Sequence, residues 1–294
     1  MQGQVVMPGD TSMIPVPNVW VTLHRVGSDE AAPIDSVLAD ARGRYEFNFR
    51  RTGETQAIYF VSATFGGVAY FTPPLVHSTV RGSEAEIAVF DTTSSPVPIS
   101  VRGHHIIVSS VNSGAQRTIT EVYELANDST VTQVARPGDG GAVWVALFPD
   151  NASNPEVSHG DIPAGGIEFR KGRALVRAPI APGLKQFAFT YMLHATAFPL
   201  SLPVADSTEI LEVLIEEEAG GVSGAGLKEV APVSLEGRSF RRYLGNAVPA
   251  NTVAVIDLPK DEGKRGLDPR FIGVITIVVA GAMMFTLARA LRRR

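Results

Sequence analysis

Short apolar and alternating runs separated by turn residues fill most of the chain, and one long uninterrupted apolar run closes it. Val19, Val21 and Leu23 alternate with Trp20, Thr22 and His24, and Tyr45, Phe47 and Phe49 alternate with Glu46, Asn48 and Arg50. A period of two gives each run one core face and one outer face, as in a half-buried strand. Between them Asp40-Ala-Arg-Gly43 predicts a tight turn, with the Asp40 carboxylate bonding nearby backbone N–H groups and Gly43 free to take positive φ. Ala57 to Ala63, a hairpin turn at Gly66-Gly67, Val68 to Thr72 and Glu84 to Phe90 continue the pattern, which amounts to about seven strands in the first 90 residues. A Ser/Thr/Pro cluster, Thr92 to Pro98, marks a boundary. Beyond it Ile106–Val111, Arg117–Leu125, Val143–Phe148, Gly166–Phe169, Arg173–Val176, Leu184–Leu193, Glu209–Glu216 and Val253–Leu258 are candidate strands. Phe187, Phe189, Tyr191 and Leu193 predict an aromatic-rich central strand, and the prolines at 199 and 203 predict an edge or a crossing loop. Asp150 to Glu156 reads as a polar hairpin loop and Ala219 to Gly226 as a flexible one.

The closing run, Phe271 to Leu291, predicts a membrane span. From Phe271 to Ala288 no residue is charged, and 18 residues at about 1.5 Å each cover roughly 27 Å, close to the hydrocarbon thickness of a bilayer. Arg289, Arg292, Arg293 and Arg294 follow it, whereas the flank before it mixes both signs. The positive-inside rule therefore sets the C-terminus in the cytoplasm and everything before the span outside, as in a bacterial-type inner membrane protein with periplasmic domains. Met1 to Gly9 has neither a basic nor an apolar leader segment, so the numbered chain is expected to begin after a removed signal. Gly273, Thr276, Ala280 and Gly281 fall near one helix face and would admit a close partner helix. Lys260 to Asp268 is a stalk reaching at most roughly 30 Å, which keeps the preceding domain near the membrane.

Charge and composition narrow the function. The chain carries a net −4, but up to Arg270 there are 22 basic and 30 acidic residues, and an acidic outer part is a poor fit to nucleic acid. With no cysteine, disulfides, thiolate metal sites and covalent haem attachment are excluded. Six histidines are scattered without metal-ligand spacing, and the neighbours His104 and His105 would point to opposite faces of a strand. Ser223 lacks a nucleophile elbow, the glycines from 219 to 226 lack a phosphate-loop pattern, and Asp150, Asn154, Glu156 and Asp161 match no calcium loop. Glu216-Glu217-Glu218 reads as a solvated guard on a strand edge. No catalytic, cofactor-binding or metal-binding residue is assigned, and no cofactor is expected.

Gly3-Gln-Val5, Pro15 to Leu23, Leu38-Ala-Asp40-Ala-Arg-Gly43-Arg-Tyr45-Glu-Phe47, Tyr59 to Ala63 and Gly67 to Tyr70 together resemble the carboxypeptidase regulatory-like family over roughly residues 1–95. The resemblance implies a transthyretin-like (prealbumin-like) sandwich used for folding, spacing or contact, without peptidase chemistry. Met7 to Met13 adds residues to one loop and is expected to remodel that edge. The remainder resembles bacterial single-span proteins with tandem sandwiches only in layout.

The expected protein is all-β, with two tandem β-sandwich (Ig-like/transthyretin-like) domains, 1–95 and 96–259, a stalk 260–270, one C-terminal transmembrane helix 271–291 and a basic tail 292–294. Its expected role is that of a non-enzymatic accessory or scaffold subunit of a larger membrane complex, such as an energy-transducing (photosynthetic, respiratory or cytochrome-maturation) one, whose partners are other membrane subunits and the bilayer. The alternative is a cell-envelope receptor for a ligand or carbohydrate, which an exposed Trp20 or Trp144 would favour.

Overall fold

A computed structural model describes residues 1–9, 11–54, 56–75, 81–136, 141–235 and 237–260. The span, its arginines 289 and 292–294, the small residues Gly273, Thr276, Ala280 and Gly281, the stalk beyond Lys260, and His77 lie outside the described residues. Among the described residues the regular structure is β apart from two single-turn 3-10 helices, Ala164–Gly166 and Ala195–Ala197. No helix among them is long and apolar enough to cross a membrane. The chain divides into two compact units, one of Met1–Thr93 with Ser129–Thr132, the other of Ser94–Asp128 and the chain from Gln133.

The first unit contains β1 (Gln2–Pro8), β2 (Met13–Pro15), β3 (Trp20–Val26), β4 (Ala31–Leu38), β5 (Arg44–Glu46), β6 (Ile58–Phe65), β7 (Val68–Phe71), β8 (Arg81–Ala88) and β9 (Thr92–Thr93). One sheet runs β4-β3-β6-β7; in the other β1 pairs antiparallel with β2 and β5 and parallel with β8. Val5, Val21, Leu23, Val61, Ala63 and Ala85 are fully buried, so the alternation in β3 points as expected. Gly66 and Gly67, at φ 56° and 78°, turn β6 into β7. The added residues after Met7 form a hairpin, pairing Met7 with Ile14.

One expectation fails here, and one strand carries no pattern that marks it. The run through Phe47 and Phe49 does not continue as a strand, because β5 ends at Glu46. The chain instead turns around the buried Arg25, whose Nε donates to Thr52 O at 3.1 Å while its Nη2 pairs with Asp29 at 2.8 Å. Strand β4 is not among the runs the pattern singles out: it is an edge with Pro33 and a bulge, exposed on most positions, so no alternation marks it.

The second unit contains β10 (Ile99–Val108), β11 (Gln116–Asn127), β13 (Trp144–Leu147), β14 (Ser153–Gly160), β15 (Ile167–Arg170), β16 (Arg173–Val176), β17 (Gly183–His194), β18 (Leu200–Val204), β19 (Thr208–Ile215), β20 (Gly221–Gly224), β21 (Lys228–Leu235), β22 (Arg238–Val248) and β23 (Thr252–Asp257), with the short β12 (Thr132–Gln133) at the division between units. A seven-stranded sheet runs β14-β17-β11-β10-β19-β22-β21, and two three-stranded sheets run β13-β16-β15 and β18-β23-β20. One buried apolar cluster joins all three, from Ile106, Ile119, Phe189 and Val213 on the large sheet to Ala174 and Ile256 on the small ones, a sandwich-like arrangement.

The aromatic strand β17 is fully buried on its Phe187, Phe189, Tyr191 and Leu193 face, but it is second from the edge and β10 is central, which corrects the expected position. Asp150 to Glu156 is not only a loop, since β14 begins at Ser153, and the glycine-rich 219–226 contains β20. The hairpin β21–β22 was not anticipated: Arg238, Arg241 and Arg242 disguise a strand because each is neutralised across the sheet by Glu216, Glu229 and Glu212.

Candidate functional site

The outer face of the β4-β3-β6-β7 sheet is the first feature that the fold leaves open. Trp20 lies opposite Leu38, Thr22 opposite Ser36 and His24 opposite Pro33. On the other side of β3, Thr22 lies opposite Ser62, His24 opposite Phe60 and Val26 opposite Ile58, and Ser62 in turn faces Phe71. Paired residues share a face, and no Asp, Glu, Lys or Arg holds any of these positions. Trp20 is 62% exposed and Phe71 58%, with Leu38 and Ile58 also open. His24 stacks on Phe60 at 5.0 Å and Phe60 meets Phe71 edge-on at 5.9 Å. Burial lowers the His24 pKa, so at neutral pH its ring is uncharged, with Nε2 2.7 Å from Ser62 Oγ. Thr22 Oγ1 and Ser36 Oγ share an exposed bond of 2.9 Å.

The second feature lies where the described chain ends. Arg117, from β11, is completely buried, yet carries a guanidinium. Its Nη1 donates to Ser109 O at 3.0 Å and to Glu217 at 2.9 Å, and its Nη2 donates to the carbonyl of Pro259 at 2.8 Å. The ring of Phe198 packs 5.4 Å beneath it. Burial lowers the Arg117 pKa and Glu217 opposes that shift. An arginine is suited to this position because its planar fork serves several acceptors in fixed directions. The result bolts the residue before Lys260 to a strand with neighbours on both sides.

Two further clusters fill the large sheet. His104 and His105 do point to opposite faces, and each finds its own carboxylate. His104 Nε2 lies 2.9 Å from Glu121, which also accepts from Tyr123 at 2.9 Å and Tyr191 at 2.7 Å. His105 Nδ1 lies 3.0 Å from Glu212, which accepts from Arg242 at 2.5 Å. Burial pushes the Glu212 pKa up, but the bonds from His105 and Arg242 outweigh it and hold the carboxyl below the usual range. His105 Nε2 is buried without a partner among the described residues. Beside His104 a cavity of about 20 Å³, lined by Tyr123, Trp144 and Asp206, has room for about one water rather than a substrate. These groups stitch strands together. Sequence reasoning did not find Glu121, although its phase with Ile119, Tyr123 and Leu125 places it on the core face.

The remaining sequence candidates separate. Asp40 and Gly43 form the expected turn: Asp40 Oδ1 accepts from Arg42 N and Arg44 N, both at 2.8 Å, and Gly43 has φ 70°. Glu216 and Glu217 are not solvated guards, since they pair with Arg238 and Arg117. Trp144 is packed edge-on against Tyr123 with its N–H on Asp206, which leaves Trp20 as the exposed tryptophan. Among the described residues no three His, Asp or Glu side chains could hold one metal ion.

No family model and no curated protein matches the chain. Among solved structures it is similar to one described as a putative protease from Parabacteroides distasonis ATCC 8503, with a TM-score of 0.36 and 9% identity. That likeness covers 57% of this chain and 41% of the other, so the chain spans less than half of its length. A likeness of this size carries no argument about activity.

Proposed function

We propose that the chain is a non-enzymatic, membrane-anchored accessory subunit of a larger membrane assembly, with a carboxypeptidase regulatory-like sandwich followed by a second sandwich and a span at Phe271 to Leu291. In this reading the two units are periplasmic, the arginines after the span are cytoplasmic, and the small-residue face from Gly273 to Gly281 packs on a neighbouring helix. The observation that carries it is the Arg117 clamp on Pro259. A tethered receptor or enzyme gains little from a rigid root, whereas a scaffold has to hold its contact surfaces at a fixed distance from the bilayer. A short stalk leaving a bolted base supplies that, and unit interfaces of this kind then need no reaction chemistry.

The test is gentle detergent extraction from native membranes, separation by size and identification of every chain that migrates with this one. Migration in a large assembly of defined composition is expected. Recovery of the chain alone would overturn the proposal.

A further inference from the structure

An exposed apolar face implies an occupant, and here size and charge decide which kind. Along β3 the face is about 20 Å long and across four strands about 15 Å wide, a footprint of roughly 300 Å². Even doubled for the relief of its side chains, that falls short of the ~800 Å² each partner buries in a standard protein interface. A narrower ligand fits better.

The chemistry of the face is specific. Open aromatic rings, Trp20 and Phe71, share the face with the bonded hydroxyls of Thr22 and Ser36, and no charged residue holds the paired positions. A pyranose ring has the matching character: one face of polarised C–H groups that lies well on the negative face of an aromatic ring, and a rim of hydroxyls. An anionic polymer would find no cation here, and a cationic one no carboxylate.

We infer that the outer face of the β4-β3-β6-β7 sheet binds a neutral polysaccharide strand, with Trp20 and Phe71 each stacking on a sugar ring and the Thr22–Ser36 hydroxyl pair, beside Trp20 on the β4 side, bonding the rim of the ring that Trp20 holds. Trp20 and Phe71 stand two strands and two residues apart, about 12 Å, which suits alternate rather than adjacent rings of an extended glycan. Phe60 and His24, stacked on one another, form the floor beside Phe71. The inference stands apart from the accessory role. A glycan held by the first unit would couple the chain to an envelope polymer whether or not a protein assembly surrounds it.

The full-length protein in lipid nanodiscs, which avoid the competing sugars of maltoside detergents, would be titrated calorimetrically with neutral hexasaccharides of glucose, mannose and xylose, and with a hexagalacturonate. At least one neutral hexamer is expected to bind and the charged one not. Trp20→Ala and Phe71→Ala should each weaken binding about tenfold or more, with far-UV circular dichroism unchanged because both side chains are largely exposed, and Trp144→Phe should leave affinity intact. Absence of binding to every neutral hexamer, undiminished binding by Trp20→Ala, or crosslinks from position 20 to a protein subunit in the native assembly would each overturn the inference. None of these outcomes alters co-migration with an assembly, so the two readings fail separately.

Discussion

Gly43 closes the first turn with φ 70°, and a Cβ there would stand 2.6 Å from the carbonyl oxygen of Val5. Gly43→Ala therefore meets both the left-handed backbone and a neighbouring strand, and is expected to cost about 1–3 kcal/mol, measured as a lowered unfolding midpoint; an unchanged midpoint would refute the close approach. Glu121 has the opposite problem, a buried carboxyl group whose partners are two phenol hydroxyls and an imidazole. Glu121→Leu strands His104, Tyr123 and Tyr191 and should cost about 3 kcal/mol, whereas Glu121→Gln keeps one acceptor oxygen and should cost about half that. Equal losses for the two would show that the donors relax to other partners. The turn at Asp40 and Gly43 was legible because both residue types act through their own backbone. Glu121 was not, since its worth depends on a hydroxyl brought from β17, seventy residues away.

Strand elements were legible where one face is apolar and blurred where ions are paired across the sheet. Arg173–Val176 appears with the bounds the pattern predicts, and Leu184–Leu193 differs by one residue at each end. The hairpin β21–β22 escaped because Glu–Arg pairs on its open positions and a proline interrupt the apolar alternation, signals that in isolation mean loop. Phenols also join elements: Tyr45 OH on β5 donates to Ala85 O on β8, and Tyr123 and Tyr191 link β11 to β17 through Glu121. Burial raises the pKa of all three. A phenol whose folded pKa is raised stabilises the fold in full below the unfolded value of about 10, and that contribution fades as pH climbs past it. Stability should thus fall above about pH 10, with phenolate absorbance from these residues rising together with loss of near-UV ellipticity. Ionisation of every tyrosine ahead of that loss would contradict their burial. On the acid side the Glu212 carboxyl, held below the usual range, contributes above that range and is lost as pH drops through its folded value.

At the scale of the whole molecule, the all-β class was legible from period alone. The two units divide at Thr93 and Ser94, within the Ser/Thr/Pro cluster, but Ser129–Thr132 returns to the first unit, where Thr132 N donates to Asp91 O at 2.7 Å and Thr132 Oγ1 meets Tyr70 OH at 2.8 Å. Such a return stroke has no local signature; it is fixed only by the partner it reaches. Membrane anchoring rests on the last residues, outside those described. The bolt at Pro259 bears on it all the same. A pull applied to the chain after Lys260 would not load β23 alone. It would pass through the guanidinium of Arg117 into β11 and spread over the twelve-residue pairing of β11 with β17, which resists sliding collectively. In single-molecule pulling from the C-terminus, Arg117→Met should lower the rupture force of the second unit and split one event into two, while its unstressed stability falls by about 3 kcal/mol. In the proposed tethered reading, the second unit would answer a pull from its C-terminal side as a post rather than as a pendulum.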